Sequence, residues 1–126
     1  MNAETQIFVF IAMVFCHIFD DYYLQGRLTN MKQKSWWAAN APDPMYKSDY
    51  IVALVVHAFS WSFMVLLPVL ITTGWLITKK LLVVFVVNWL VHGIVDDLKA
   101  NRKAINLITD QGIHLIQILF SWAVLV

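Results

Sequence analysis

Four histidines, His17, His57, His92 and His114, are the residues of this chain best suited to chemistry. Three have an aspartate four residues away: His17 with Asp21, His92 with Asp96, and His114 with Asp110. On a helix that spacing puts both side chains on one face. Imidazole and carboxylate together are the common ligand set of zinc, iron and manganese. Four imidazoles and three carboxylates exceed one tetrahedral site. They suffice for two divalent metals held between facing helices, or for one metal with some carboxylates orienting the imidazoles from behind. Gln25 and Gln111 fall beside the aspartates and are candidates for holding substrate or water. The competing reading is that His–Asp pairs are polar glue between helices, worth about 1 kcal/mol each.

Such residues need elements to position them, and the composition says which. The 126 residues are 60% hydrophobic and 13% charged, against about a quarter charged in soluble domains, and mean hydropathy is +0.68. Apolar runs define four spans, at about 5–25, 49–72, 76–99 and 105–126. Each approaches the roughly 20 residues that cross a bilayer. The expectation is one domain, 1–126: an all-α integral membrane bundle of four transmembrane helices, with a long connection at 26–48. Every span carries one histidine and no connection carries any. A net charge of +1 without a basic cluster gives no reason to expect nucleic-acid binding. The single cysteine, Cys16, cannot form an internal disulfide. The first residues lack the basic region of a signal peptide and are read as retained.

Chain direction sharpens the pattern. Arg27, Lys32, Lys34, Lys47, Lys99, Arg102 and Lys103 fall on one side of a four-span bundle, and only Lys79 and Lys80 on the other. The positive-inside rule then puts both termini outside and the basic loops in the cytoplasm, across a bacterial inner membrane. Spans one and three run towards the basic side with His before Asp. Span four runs away from it with Asp before His. In every pair the aspartate is nearer the basic surface and the histidine about 6 Å deeper. His57, about eight residues into span two, reaches a similar depth. Four imidazoles in one layer and three carboxylates in the next is the arrangement expected.

Other groups are assigned lesser parts. Asp20 and Asp97 point about 100° away from their neighbours on an α-helix and are expected to be solvated at the interface. Lys32, Lys34 and Lys99 are read as snorkelling or headgroup lysines, with an anionic substrate as the alternative. Asn88 and Gln117 lie a turn or so deeper and suit helix–helix hydrogen bonds. Gly112 suits a close helix approach. The connection 26–48 is read as an interfacial loop anchored by Trp36 and Trp37, with a lid over the site as the alternative.

The pieces His17-Ile18-Phe19-Asp20-Asp21-Tyr22-Tyr23-Leu24-Gln25, the isolated His57, His92-Gly93-Ile94-Val95-Asp96 and Asp110-Gln111-Gly112-Ile113-His114 resemble a family of small bacterial and phage membrane proteins, the domain of unknown function 3307. The resemblance touches all four spans. It implies importance for the His/Asp/Gln set and supplies no reaction. Family members continue from the glutamine into a Trp- and Lys-containing stretch, which Lys32, Lys34 and Trp36 match loosely.

The leading expectation is a membrane-embedded, metal-dependent hydrolase acting on a phosphorylated or lipid substrate. His17, His57, His92 and His114 would be ligands to one or two ions of zinc, iron or manganese. Asp21, Asp96 and Asp110 would be ligands or general base, and Gln25 and Gln111 would position substrate. Two alternatives stand beside it. One is a proton or ion transport protein using the same relay, as a homo-oligomer. The other is a bacterial or phage interaction protein with a structural polar core, acting on a host membrane protein.

Overall fold

Local signals start and stop the helices as the sequence suggests. α1 (Ala3–Phe19) begins at Asn2, whose side chain accepts the Thr5 N–H at 2.8 Å. α5 (Lys79–Ala100) begins at Thr78 and α6 (Leu107–Leu125) at Asn106, each capping through its side chain. α4 (Asp49–Thr72) keeps Pro68 inside a continuous helix and closes on Gly74, whose φ of +65° is the left-handed turn that ends helices. Between α1 and α4 lie two short helices, α2 (Leu28–Met31) and α3 (Lys34–Asn40), and a 3₁₀ turn at Pro44–Tyr46.

The computed structural model describes the whole chain, Met1–Val126. It is an all-α bundle in which α1 packs on α4 and α6, α5 packs on α4 and α6, and α4 and α6 touch only sparingly across the diagonal. Consecutive long helices are therefore neighbours, as short or folded-back connections require. All four long helices are long and apolar enough to cross a membrane. The exposure pattern agrees with a lipid environment. Large apolar side chains such as Phe8, Phe15, Ile94, Ile108 and Ile116 face outward, while 12 of the 27 buried residues are polar or charged. That inverts the usual core of a soluble domain.

The interior is layered. At the end away from 26–48, Val9, Met13, Val65, Leu66, Val69, Leu81, Val84 and Ile118 pack tightly. One layer up, Asn88 Nδ2 donates to Ser121 Oγ at 2.7 Å, and Gln117 Nε2 lies 3.3 Å from the Asn88 side-chain oxygen. The polar site occupies the end nearest 26–48.

Two local features shape the site, and the first departs from the expected continuous α-helix. First, α1 does not run on as an α-helix. Asp20–Leu24 form a π-helical turn, with the Gln25 N–H bonded to the Asp20 carbonyl at 3.0 Å. The wider turn brings successive residues closer to one face, and such turns recur at functional sites. Second, the connection 26–48 is folded into α2, α3 and the 3₁₀ turn. Asn101 fastens it: its Nδ2 donates to the Lys32 carbonyl at 3.0 Å, and its Oδ1 accepts the Lys34 N–H at 2.7 Å. Trp37 Nε1 donates to the Met31 carbonyl at 2.6 Å, so this tryptophan braces the segment itself. Gly112 lies at no close approach, since a Cβ there would meet nothing within 4 Å.

Candidate metal centre

The four imidazoles converge. His92 stacks on His114 with ring centroids 4.1 Å apart, and His57 Nε2 lies 3.2 Å from His92 Nε2. His17 completes the group, its ring 5.7 Å from that of His114. The i, i+4 aspartates are close as expected: His17–Asp21 at 3.5 Å, His92–Asp96 at 3.8 Å and His114–Asp110 at 3.8 Å. The tighter contacts, however, cross between helices.

Two carboxylate oxygens, Asp21 Oδ1 and Asp96 Oδ2, lie beside His57 Nε2 and His92 Nε2. His57 Nε2 is 3.2 Å from Asp21 Oδ1 and 3.4 Å from Asp96 Oδ2, and His92 Nε2 is 3.9 and 3.8 Å from the same two oxygens. Ligands about 2.0–2.2 Å from a tetrahedral ion are separated by roughly 3.3–3.5 Å. The His57 separations match the edges of such a tetrahedron and the His92 separations exceed them by a few tenths of an ångström, while imidazoles with carboxylates are a fitting donor set for a divalent metal.

Asp21 is the hinge of the arrangement. Its Oδ1 faces His57 and His92, while its Oδ2 lies 3.5 Å from both His17 Nδ1 and His114 Nδ1. Three triads could each hold a metal: His17–Asp21–His114, Asp21–His57–His92 and His92–Asp96–His114. Asp110 belongs to none of them. Its Oδ2 is held by Lys99 Nζ at 2.6 Å and by Gln111 Nε2 at 3.0 Å, and its Oδ1 is left without a partner.

The remaining sequence candidates do different work. Gln111 is a hub. His17 Nδ1 accepts the indole N–H of Trp61 at 2.8 Å, so the His17 proton sits on Nε2 and is donated to Gln111 Oε1 at 3.0 Å. The Gln111 amide then points its N–H groups at Asp110 and, at 3.3 Å, at Asp21 Oδ2. Gln25 donates to the Asp21 carbonyl at 2.6 Å and so secures the π turn that aims Asp21 inward, leaving its own Oε1 buried and unpaired.

Several groups at the site were not expected from the sequence. Asp20 is completely buried rather than solvated. Ser60 Oγ donates to its Oδ1 at 2.6 Å, and its Oδ2 lies 3.5 Å from His57 Nδ1. A carboxylate behind an imidazole is the usual support of a metal-binding histidine. Asp20 lies three residues after His17, so the same face of α1 turns it towards α4, where Ser60 and His57 enclose it. Lys32 is buried too, its Nζ 2.7 Å from Asp96 Oδ2, in place of the expected position at the headgroups. Lys99 likewise turns inward to Asp110. Trp61 forms the floor, stacking on His92 at 4.2 Å while donating to His17. Ser60 and Trp61 lie three and four residues after His57, so helical spacing alone could have found them.

Hydrogen bonding marks the cluster as incomplete. Seven of the nine buried side-chain atoms without a partner belong to it: Asp20 Oδ2, Asp21 Oδ1, His57 Nδ1, His92 Nδ1, Asp110 Oδ1 and both nitrogens of His114. Buried polar atoms are normally paired, and concentrated exceptions point to a missing ion or water.

Fold and site together define a four-helix bundle, long and apolar enough to span a membrane, with a buried His/Asp cluster that could hold a metal ion. No family model, no curated protein and no solved structure matches the chain, so the functional reading rests on this geometry.

Proposed function

We propose that the protein is a membrane-embedded, metal-dependent hydrolase in which His17, His57, His92 and His114, with Asp21 and Asp96, would hold one or two divalent ions. The observation that carries this reading is the division of Asp21, one oxygen facing His57 and His92 and the other facing His17 and His114. His57, His92 and Asp21 would hold the first ion, with Asp96 beside them. The second belongs with His17 and His114 and binds more weakly, because His17 Nδ1 must first release the Trp61 N–H. Zinc, iron and manganese all suit these ligands.

Bound divalent metal supplies a Lewis acid and lowers the pKa of a coordinated water towards neutrality. The chain supplies the rest. Asp20 and Ser60 hold His57 in register. Trp61 and the apolar layer beneath it close the centre against water from below. Asp110 Oδ1, free of any partner, is the carboxylate left to take a proton. Gln111, already donating to both Asp21 and Asp110, is placed to steady substrate or water between them.

A transport role is less well supported. The polar network ends at Asn88, Gln117 and Ser121, and below it the bundle is filled by apolar side chains. The reading also adopts the cytoplasmic placement of the 26–48 end given by the positive-inside rule.

Two measurements test the proposal. Metal analysis of the purified protein is expected to give up to two divalent ions per chain, with most of the metal lost in His92→Ala. Metal-dependent turnover of p-nitrophenyl phosphate is expected, and is expected to vanish in Asp21→Asn. The absence of stoichiometric metal in the unsubstituted protein rejects the metal centre, and metal without turnover of any ester rejects the hydrolase.

A further inference from the structure

The charge on the site does not balance once metal is added. Four carboxylates, Asp20, Asp21, Asp96 and Asp110, surround it, and two lysines, Lys32 and Lys99, already pair with two of them. With neutral imidazoles the site carries two net negative charges, and two divalent ions turn that into two net positive charges. The excess is concentrated at Lys32. Its ammonium is nearly buried and lies 2.7 Å from Asp96 Oδ2, the oxygen that also faces His57 and His92. A metal on that oxygen takes up the negative charge that now neutralises Lys32. A buried ammonium without a counter-charge is costly, so a dianion entering beside it would be held by both cations.

Space for such a group exists at that position. A cleft of about 290 Å³ has Asp21 and Asp96 in its wall and is also lined by Gln25, Thr29, Lys32 and Lys99. Those last four residues also line a second cleft of about 430 Å³, where Lys103 joins them. The two clefts therefore adjoin and lead from the outer lysine to the aspartates of the centre. Gln25 Oε1, buried and unpaired, belongs to a residue that lines both.

We infer that this cleft binds the phosphate of a phosphomonoester, with Lys32 and Lys99 as its two recognition groups and the centre at its inner end. The inference rests on the metal-centre reading and names the substrate class for it. Lys32 comes from the folded 26–48 segment, so that segment is a working wall of the substrate site. Tyr22 and Leu107 line the inner cleft and are themselves exposed on the bundle surface, which leaves room for a lipid tail as well as for a small soluble ester.

The test uses the full chain in detergent, loaded with metal and freed of excess, titrated calorimetrically with inorganic phosphate. Phosphate is expected to bind the loaded protein. Lys32→Gln and Lys99→Gln should each weaken binding by about tenfold or more, as loss of a charged hydrogen bond does. Metal content should stay unchanged, Lys32→Arg should restore much of the affinity, and Lys79→Gln, at the far end of α5, should bind as the unsubstituted protein does. Nanodiscs separate the sources. Tighter binding to phosphatidic acid discs than to phosphatidylcholine discs, competed by phosphate, assigns the group to a lipid headgroup. Equal affinity for glycerol phosphate and inorganic phosphate, with no disc preference, assigns it to a soluble ester. Metal loading without lysine-dependent phosphate binding overturns this inference alone. Failure to load metal overturns the metal-centre reading and this inference with it.

Discussion

Replacing Lys32 with methionine should reveal whether Asp96 holds a metal, because the cost should depend on metal occupancy. Without metal, the substitution leaves the Asp96 carboxylate facing the histidines with no cation. The pair is 2.7 Å apart, with the two side chains only 6% and 3% exposed. Removing one partner from a buried pair costs about 3–5 kcal/mol. For a chain of this size each kcal/mol shifts the melting temperature by roughly 3–5 °C, so the metal-free variant should melt about 9–25 °C lower. With metal, the ion neutralises Asp96 and Lys32 is no longer its needed partner. The loss should shrink to a few degrees or reverse. Thermal unfolding in detergent, with chelator and with added zinc, reads both values on the same preparations. An equal loss in the two conditions would mean that Lys32 and Asp96 form a structural ion pair and that no metal occupies Asp96.

Three further substitutions probe the supports around the centre. Trp61→Phe keeps the stacking surface on His92 but frees His17 Nδ1, so the second metal should tighten by roughly fivefold, the worth of a neutral hydrogen bond; chelator competition showing unchanged or weaker binding would contradict this. Asp20→Asn removes the charge behind His57 and should weaken metal binding by roughly 10–100-fold, and an unchanged affinity would show that Asp20 does not support a ligand. Asn101→Ala removes the bonds to the Lys32 carbonyl and the Lys34 N–H, so amide exchange should quicken across 27–40 and stay unchanged in the four long helices. Protection of that segment equal to the original would mean that other contacts hold it.

The parts of the site legible in the sequence were those carried by regular helices. His92 with Asp96 and Asp110 with His114 sit where a spacing of four residues places them, and chain direction was enough to put all four histidines at one depth. Periodicity could not supply the two irregular pieces. No spacing marks the π turn at Asp20–Leu24, where Ser60 binds the Asp20 side chain at one end and the Gln25 side chain donates to the Asp21 carbonyl at the other. The burial of Lys32 depends on Asn101, which is 69 residues away in sequence and carries no motif. The outward placement of Lys99 failed for a similar reason. Its partner, Asp110, lies across the α5–α6 connection, and in an apolar surrounding a lysine follows its carboxylate. Gly112 shows the converse, a residue type that permits close packing at a position where none occurs.

The most direct test of the central claim is X-ray absorption on the zinc-loaded protein, compared with His57→Ala and Asp21→Asn. The proposed centre requires nitrogen and oxygen ligands at about 2.0–2.2 Å, with outer-shell scattering from imidazole that falls in His57→Ala. Asp21→Asn should lower the bound metal at both positions, because one Asp21 oxygen faces each histidine pair. Zinc bound without imidazole scattering, or with a ligand shell unchanged by either substitution, would place the metal elsewhere and leave the His/Asp cluster as a polar core that joins helices.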